Sequence, residues 1–571
     1  MAPIRAPRRG VPRRVSVQAT FAATLVDEWA RQGVTDAVVC PGSRSTPLAV
    51  ALARRLRSHV RLDERSAAFY ALGLAMATGR PTIVCVTSGT AAVELHPAVV
   101  EAHHACVPLI VCTADRPPEL HGVGAPQTID QVGLYTTSTR WTATPGVPEQ
   151  SQRAAWRPLA ARAFRAALHA PGGPGPVHLN LEFREPLIGE AGPLPPRLGP
   201  RAVARGAIAA VDVGEPLGGR GVIICSGGLD AQSPDPSLVE AVAARLGWPV
   251  FADPRSGCRL PGTVAAADAI VRTGPALPES VLLLGAPWLS KAVGTYVSDA
   301  AEAGARVVVV DPWGRSHDPS HAASEFHHAD VTAWLRAALA SAPADPDLEW
   351  LPLWRSLEDK AQAAIVDTLA AELSEPAVAR AVYGYVAAGA GTLVVSASMP
   401  MRDLEWFAPT HPTPARVLAN RGANGIDGVV STALGVAASR MDAAGPRRPT
   451  IALLGDLAFL HDVSGLVNMG GESCTFVVPD NGGGGIFSFL PQAEALDHDT
   501  FERLFGTPPT SDVAAVARGF GLTVREVTTL EELEPALDGS APALVRVRVP
   551  GRAENVALHE AVNQAVRRAL T

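Results

Sequence analysis

The sequence predicts an α/β protein of three doubly wound domains with mostly parallel sheets. Two observations carry this expectation. Short runs rich in Val, Ile and Leu alternate with Ala-rich helical stretches from end to end, the pattern of strands covered on both faces by crossover helices. Two stretches dense in Gly and Pro, GEAGPLPPRLGP at 189–200 and SAPADPD at 341–347, divide the chain into domains at 15–188, 200–340 and 350–571. The length of 571 residues agrees, because a domain usually takes about 100 to 200 residues.

Taken in order, residues 1–14 hold five Arg and no acid. No apolar segment follows them, so they read as a disordered basic leader and not as a secretory signal. In the first domain the apolar runs at 36–40, 82–86, 108–113 and 177–181 predict strands, and a short extended segment at 59–62 precedes a helix over 66–78. The middle domain has strand-like runs at 222–225, 281–284 and 306–310. The last domain has them at 392–396, 416–419, 450–454, 474–478 and 543–549.

Composition excludes several functions. Lys and Arg total 49 against 56 Asp and Glu, a net charge of −7, so there is no general basic field for nucleic acid and any anion site must be local. No apolar run of about 18 residues exists to span a membrane. Seven Cys, at 40, 85, 106, 112, 225, 258 and 474, form no CxxC pair, which suits reduced buried thiols in a cytoplasmic protein. Lys occurs only at 291 and 360. Where Arg otherwise supplies positive charge, a retained Lys points to a chemical requirement. Lys360, in LEDKAQAA, reads as a solvated helix position; Lys291 lies just beyond the 281–284 run, near a strand end, and is the functional candidate.

The usual catalytic motifs are missing. Neither Lys belongs to a P-loop, and the nearest GxGxxG, starting at Gly122 and Gly124, has Gln127 at its third position. HExxH and GxSxG are also absent. Two polar strand ends stand out instead. The run at 450–454 leads into Gly455-Asp456, and the run at 474–478 leads through Pro479 into Asp480-Asn481 and four glycines, 482–485. Parallel neighbours deliver such residues to one carboxyl edge, where ligands bind. A carboxylate, an amide oxygen and a bare carbonyl are hard ligands suited to Mg²⁺ with diphosphate, and Gly lets backbone approach phosphate. Each half alone is equally a helix-capping aspartate or a flexible glycine loop.

These residues resemble the signature of thiamine diphosphate-dependent enzymes, GDG followed by NN, with Leu457 in place of the last Gly and Asp480 in place of the first Asn. GDLAFLHDVSGL at 455–466 with NGGGGIFSFLP at 481–491 is similar to one branch, the 2-succinyl-5-enolpyruvyl-6-hydroxy-3-cyclohexene-1-carboxylate synthases of menaquinone biosynthesis. Further matching motifs are CPGSRSTPLA (40–49), DERSAAFYALGLA (63–75), TSGTAA (87–92), TADRPPEL (113–120), FREPL (183–187), SMPMRDLE (398–405), NRGANGIDG (420–428) and LFGTP (504–508). The middle domain matches thinly, at LSK (289–291) and DP (311–312).

The resemblance implies a thiamine diphosphate-binding fold, with a pyrimidine-binding domain at 15–188, a middle domain at 200–340 and a diphosphate-binding domain at 350–571. It implies thiamine diphosphate and Mg²⁺, or Mn²⁺ in its place, held by Asp456, Asn481 and the Gly483 carbonyl, with Asp480 left without an assigned part. Glu64 would share a proton with pyrimidine N1′ through a carboxyl whose pKa burial raises; an N-terminal helix acid is the plainer alternative for it. Ile426 would wedge the cofactor into its bent shape, and Ser88, Gly89 and Ile486 would complete the cofactor site. The implied reaction decarboxylates 2-oxoglutarate on the cofactor and adds the succinyl carbanion equivalent to isochorismate. Those substrates are dicarboxylates, and planar Arg suits carboxylates: Arg44, Arg116, Lys291, Arg402 and Arg421, with Ser43, Gln127 and Ser398, are the substrate-binding set, Arg44 and Gln127 acting with Glu64 in catalysis. Ala397 replaces an Asn that often precedes the serine. The family places its active sites between subunits, implying a homodimer or homotetramer. The alternatives are another decarboxylase or carboligase, of the acetolactate synthase type, and a catalytically inactive α/β binding subunit.

Overall fold

The computed structural model describes residues 15–197, 199, 211–228, 233–343, 346–370, 372–439, 449–538 and 542–571; the basic leader lies outside them. The described residues form two compact units, one within 1–203 and one within 204–571 joined by Pro171–Gly173.

The first unit holds a six-stranded parallel sheet. Its strands lie side by side as Arg57–Val60, Asp36–Val39, Thr82–Val86, Leu109–Asp115, Pro176–Glu182 and Trp141–Ala143. The apolar face of the helix Val17–Arg31 closes one side with Phe21, Leu25 and Trp29 against Ile110, Cys112 and Leu179. The Trp29 indole N–H donates to the Ala160 carbonyl at 3.0 Å, so burying this ring leaves no polar atom unpaired.

The second unit holds two parallel sheets. One has five strands, in the order Val250–Ala252, Gly221–Cys225, Ser280–Leu284, Arg306–Val310 and Glu325–His327. The other has six, Arg416–Ala419, Thr392–Val395, Thr450–Leu453, Cys474–Asp480, Ala543–Arg548 and Thr523–Val527. Numbered along the chain, both six-stranded sheets share the order 2-1-3-4-6-5, and the five-stranded sheet begins with the same 2-1-3-4. The order reverses between the first and third strands of each, and doubly wound sheets bind ligands beyond the carboxyl ends at such a point.

Within the second unit one core joins the five-stranded sheet to helices from the last third of the chain. Val222, Phe251 and Tyr296 pack with Trp350 and Trp354 of the helix Trp350–Leu369 and with Val562 and Val566 of the helix Arg552–Leu570. Arg259 pins them further. Fully buried, it donates to the carbonyls of Ala252 (3.0 Å) and Ala265 (2.8 Å) beside the five-stranded sheet, and to those of Glu405 (2.9 Å) and Ala408 (2.7 Å) at the end of the helix Met399–Phe407.

Every strand expected from the sequence is present, with small changes of boundary: 108–113 extends to Asp115 and 474–478 to Asp480, while 543–549 stops at Arg548. The helix expected over 66–78 begins two residues earlier, at Glu64. All seven Cys are buried and none forms a disulfide. Lys360 is exposed on its helix. Among the described residues no helix is long and apolar enough to cross a membrane.

Candidate active site

In the first unit the loops after the first and third strands meet at the order reversal. A Cβ on Gly42 would lie 2.4 Å from the Thr87 Cβ, so only glycine allows this approach. The following residues are Ser43, exposed in the loop, and Arg44, buried. Arg44 donates from Nη1 to the Phe183 carbonyl at 2.9 Å and lies 3.5 Å from the Glu185 carboxylate, while its buried Nε has no hydrogen-bond partner. Arg116, after the fourth strand, donates to the Ser88 hydroxyl. Burial and the neighbouring Arg44 cation hold the Arg116 pKa below its ordinary value. Ser88 in turn donates to the Gln127 carbonyl at 3.0 Å, and Gln127 Nε2 donates back to the Ser88 carbonyl at 3.2 Å. Gly89 has φ +82° and gives its N–H to Gln131 Oε1 at 2.9 Å. Two cations, a hydroxyl and an amide thus converge, a constellation fit for a carboxylate.

Glu64 stands at the first position of the helix Glu64–Thr78. Asp63 supplies the cap, its Oδ1 accepting from Ser66 N–H at 2.9 Å, so the capping role does not account for Glu64. Glu64 is half-buried, and burial, with Asp63 and Glu94 nearby, pushes its carboxyl above the ordinary value.

In the second unit Asp456 and Asn481 sit at the carboxyl ends of paired parallel strands, Thr450–Leu453 and Cys474–Asp480. Asp456 is 2% exposed; its Oδ1 accepts from Leu457 N–H at 2.7 Å and its Oδ2 is buried without a partner. Burial pushes this carboxyl up to about 6, with the nearby Asp480 adding and the Leu457 and Gly483 N–H groups opposing. Asn481 Oδ1 accepts from Gly483 N–H at 3.1 Å, which ties this side chain to the glycine loop. Gly483 has φ +134°, and a Cβ there would fall 2.2 Å from the Gly506 carbonyl. An orphaned carboxylate oxygen, an amide oxygen and unshielded backbone form an all-oxygen donor set that fits a hard divalent cation. Asp480 does not join it: Arg546 grips its Oδ2 with Nε and Nη2, both at 2.6 Å.

The same unit has a cleft of 540 Å³ lined by Lys291, Arg402, Ile486, Phe489 and His559 among others, within the range of small-molecule sites. Lys291 is exposed at the first position of the helix Lys291–Glu302, whose cap is Ser290. Arg402 donates to the Ser398 carbonyl at 3.0 Å, and burial lowers its pKa. Arg421 has a buried Nε without a partner, and burial, with Arg255 beside it, pushes its pKa down to about 10. Ile426 is 36% exposed, so it is no core residue of its own unit.

Sequence motifs thus single out residues in three places: Arg44, Ser88, Gly89, Arg116 and Gln127 in the first unit, and in the second Asp456, Asn481 and Gly483 at one strand edge and Lys291, Arg402 and Ile486 on the cleft. They missed the buried groups behind them. Glu375 accepts from Asn481 and Asn555, and burial with the nearby Asp403 pushes it up to about 8. Asp403 pairs with His559 at 2.8 Å. Glu405 is buried with both oxygens unpartnered, close to Arg255 and Arg259. Asp403 and Glu405 lie inside the SMPMRDLE motif at 398–405 without having been singled out, and for Glu375 the signal is a Ser-Glu-Pro helix start at 374–376.

Three family profiles match the chain: "Thiamine pyrophosphate enzyme, N-terminal TPP binding domain" over residues 19–134, "Middle domain of thiamine pyrophosphate" over 210–393 and "Thiamine pyrophosphate enzyme, C-terminal TPP binding domain" over 405–547. Full-length relatives match as well. The 2-succinyl-5-enolpyruvyl-6-hydroxy-3-cyclohexene-1-carboxylate synthase of Thermobifida fusca (strain YX) is 42% identical over 570 residues, 96% of this chain and 98% of the relative. The synthase of the same name from Chloroflexus aurantiacus is 40% identical, covering 96% of each chain. That of Geobacillus kaustophilus is also 40% identical, over 94% of this chain and 96% of its own.

Proposed function

The chain belongs to the thiamine pyrophosphate enzyme family, in its 2-succinyl-5-enolpyruvyl-6-hydroxy-3-cyclohexene-1-carboxylate synthase branch, and on that premise we propose that it decarboxylates 2-oxoglutarate and joins the remaining succinyl unit to isochorismate. The products are CO₂ and the compound for which the branch is named, a step of menaquinone biosynthesis. The observation that most supports this reading within the molecule is the meeting, in one unit, of an all-oxygen donor set and a cleft carrying Lys291 and Arg402.

Thiamine diphosphate, when bound, supplies the nucleophilic carbon and the electron sink that decarboxylation of a 2-oxo acid requires. The chain's residues bind and position. Asp456 and Asn481 through side chains, and Gly483 through its carbonyl, would hold Mg²⁺, or Mn²⁺, which would neutralise the cofactor's diphosphate. Ser88, Gly89, Ile426 and Ile486 shape the cofactor site. Glu64 holds a proton at its carboxyl for exchange with pyrimidine N1′, a task its raised pKa suits. Arg44 and Gln127 act at the reacting centre. Arg116, Arg402, Arg421 and Lys291, with Ser43 and Ser398, neutralise and orient the substrate carboxylates.

The division into domains at 15–188, 200–340 and 350–571 belongs to the same proposal and is supported by one large sheet in each span. So does assembly as a homodimer or homotetramer with active sites between subunits. A cytoplasmic location is supported by seven buried cysteines, none of them in a disulfide. The decisive experiment measures CO₂ release from 2-oxoglutarate with and without isochorismate. Release that rises with isochorismate, with formation of the coupled product, is expected; release from pyruvate alone with acetolactate as product would overturn the reading in favour of an acetolactate-type enzyme.

A further inference from the structure

Asn481 is held from behind. Glu375 opens the helix Glu375–Ala388 after its cap Ser374 and is 5% exposed. Its Oε1 accepts two amide N–H groups, from Asn481 Nδ2 at 2.8 Å and from Asn555 Nδ2 at 2.9 Å. One carboxyl oxygen can receive both donors whether or not the other oxygen carries a proton, so the arrangement does not depend on charge state. With its nitrogen committed to Glu375, the Asn481 amide turns its oxygen the opposite way, where Gly483 N–H donates to it at 3.1 Å. Gly483 N–H also lies near enough to the Asp456 carboxyl to favour its charged form. A carboxamide's two ends are nearly equal in size, and steric fit alone would not choose between them. Inverted, it would present N–H donors where a cation needs an oxygen.

We propose that Glu375 is a positioning residue for the cation site: its Oε1 fixes the Asn481 carboxamide so that oxygen, not nitrogen, faces Asp456 and the Gly483 loop. The inference rests on the reading of Asp456 and Asn481 as cation ligands. Asn555 completes the support, since it shares Oε1 and sits one turn before His559, which is itself anchored to Asp403. Partners behind a metal ligand commonly change metal affinity by about 10- to 100-fold when lost.

The test titrates Mg²⁺ into the full-length protein at saturating thiamine diphosphate, by calorimetry, for the wild type and for Glu375→Met, Glu375→Gln and Asp456→Ala. Glu375→Met, similar in length but without an acceptor, should weaken Mg²⁺ binding by about 10- to 100-fold, whereas Glu375→Gln, which keeps a carbonyl acceptor, should stay close to wild type. A reversed pair decides the case if Glu375→Met does not fold. Asn481→Asp alone sets two carboxyl groups against each other, and adding Glu375→Gln should restore binding, because the glutamine amide can donate to the new carboxylate. Wild-type affinity in Glu375→Met, or a double variant no better than Asn481→Asp alone, overturns the inference while loss in Asp456→Ala leaves the site reading standing. Wild-type affinity in Asp456→Ala overturns both.

Discussion

Replacing Asp456 with Asn should alter how stability depends on pH, with a sign and size set by the burial of this carboxyl. Burial pushes it from an ordinary 3.8 to about 6, and its Oδ2 has no hydrogen-bond partner. An acid whose pKa is higher folded than unfolded holds its proton more tightly in the native state. Ionising it therefore costs stability: the penalty is nearly absent below pH 4, grows between pH 4 and 6, and is complete above 6, where it amounts to about 3 kcal/mol at about 1.36 kcal/mol per pH unit. About half remains at pH 5. In protein stripped of cation and cofactor, the wild type should thus gain about 1.4 kcal/mol relative to Asp456→Asn between pH 7.5 and pH 5. For a unit of this size that is about 2 °C in melting temperature. Scanning calorimetry of both proteins across this range measures it, and taking the difference removes Glu375, Asp403 and Glu405, whose raised pKa values act in the same direction. Mg²⁺ with thiamine diphosphate at pH 7.5 should then stabilise the wild type and not the variant. Parallel pH curves, or equal stabilisation by the cation and cofactor, would refute the reasoning.

Glu64→Gln keeps the shape and removes the acid, so turnover should fall by about 10²- to 10⁴-fold while calorimetry still finds thiamine diphosphate bound; near-normal turnover would remove Glu64 from the mechanism. Lys291→Ala and Lys291→Arg should both raise the isochorismate KM and leave 2-oxoglutarate decarboxylation largely intact, because a compact ammonium on the cleft wall is not matched by a planar fork; unchanged isochorismate kinetics in both would return Lys291 to the ordinary surface charges. Burial works against the Asp36 carboxylate, yet hydrogen bonds from His59 (2.9 Å), Arg57 (2.6 Å) and Thr35 (2.7 Å) outweigh it and hold the pKa at about 2. A depressed acid contributes stability above its unfolded pKa and loses it as pH falls through the folded one, here about 2 kcal/mol lost between pH 4 and 2. Asp36→Asn should flatten that part of the acid-unfolding curve followed by circular dichroism, and a variant as acid-sensitive as the wild type would show that these bonds do not stabilise the fold.

What the sequence disclosed follows from how thoroughly each segment is buried. Central strands such as Thr82–Val86 and Cys474–Asp480 are covered on both faces and read as continuous apolar runs. The strands that patterning leaves out, Trp141–Ala143, Val250–Ala252, Glu325–His327 and Thr523–Val527, are all sheet edges, as is Arg57–Val60, which the sequence places two residues late at 59–62, and each is short, partly exposed or both. The candidate site residues legible in advance lie in loops directly after strands, where family motifs are dense: Arg44, Ser88, Arg116, Asp456 and Asn481. Those that were not legible act across long separations. Glu375 reaches Asn481 over 106 residues and Asn555 over 180, and no local pattern marks a carboxyl that waits for amides so distant in the chain. Asp480 shows the converse, because its motif position suggests a ligand while Arg546, 66 residues on, claims its carboxylate.

Arg259 limits how the cleft can open. Swinging the five-stranded sheet away from the Met399–Phe407 helix would strip this guanidinium of the Glu405 and Ala408 carbonyls and leave charge and carbonyls unpaired in the interior. At about 1.5 to 3 kcal/mol for each hydrogen bond to a charged group, two such losses keep a hinged-open form below about 1% of the molecules. In the ligand-free protein this buried contact therefore couples the five-stranded sheet to the Met399–Phe407 helix, and with them the elements that carry Lys291 and Arg402.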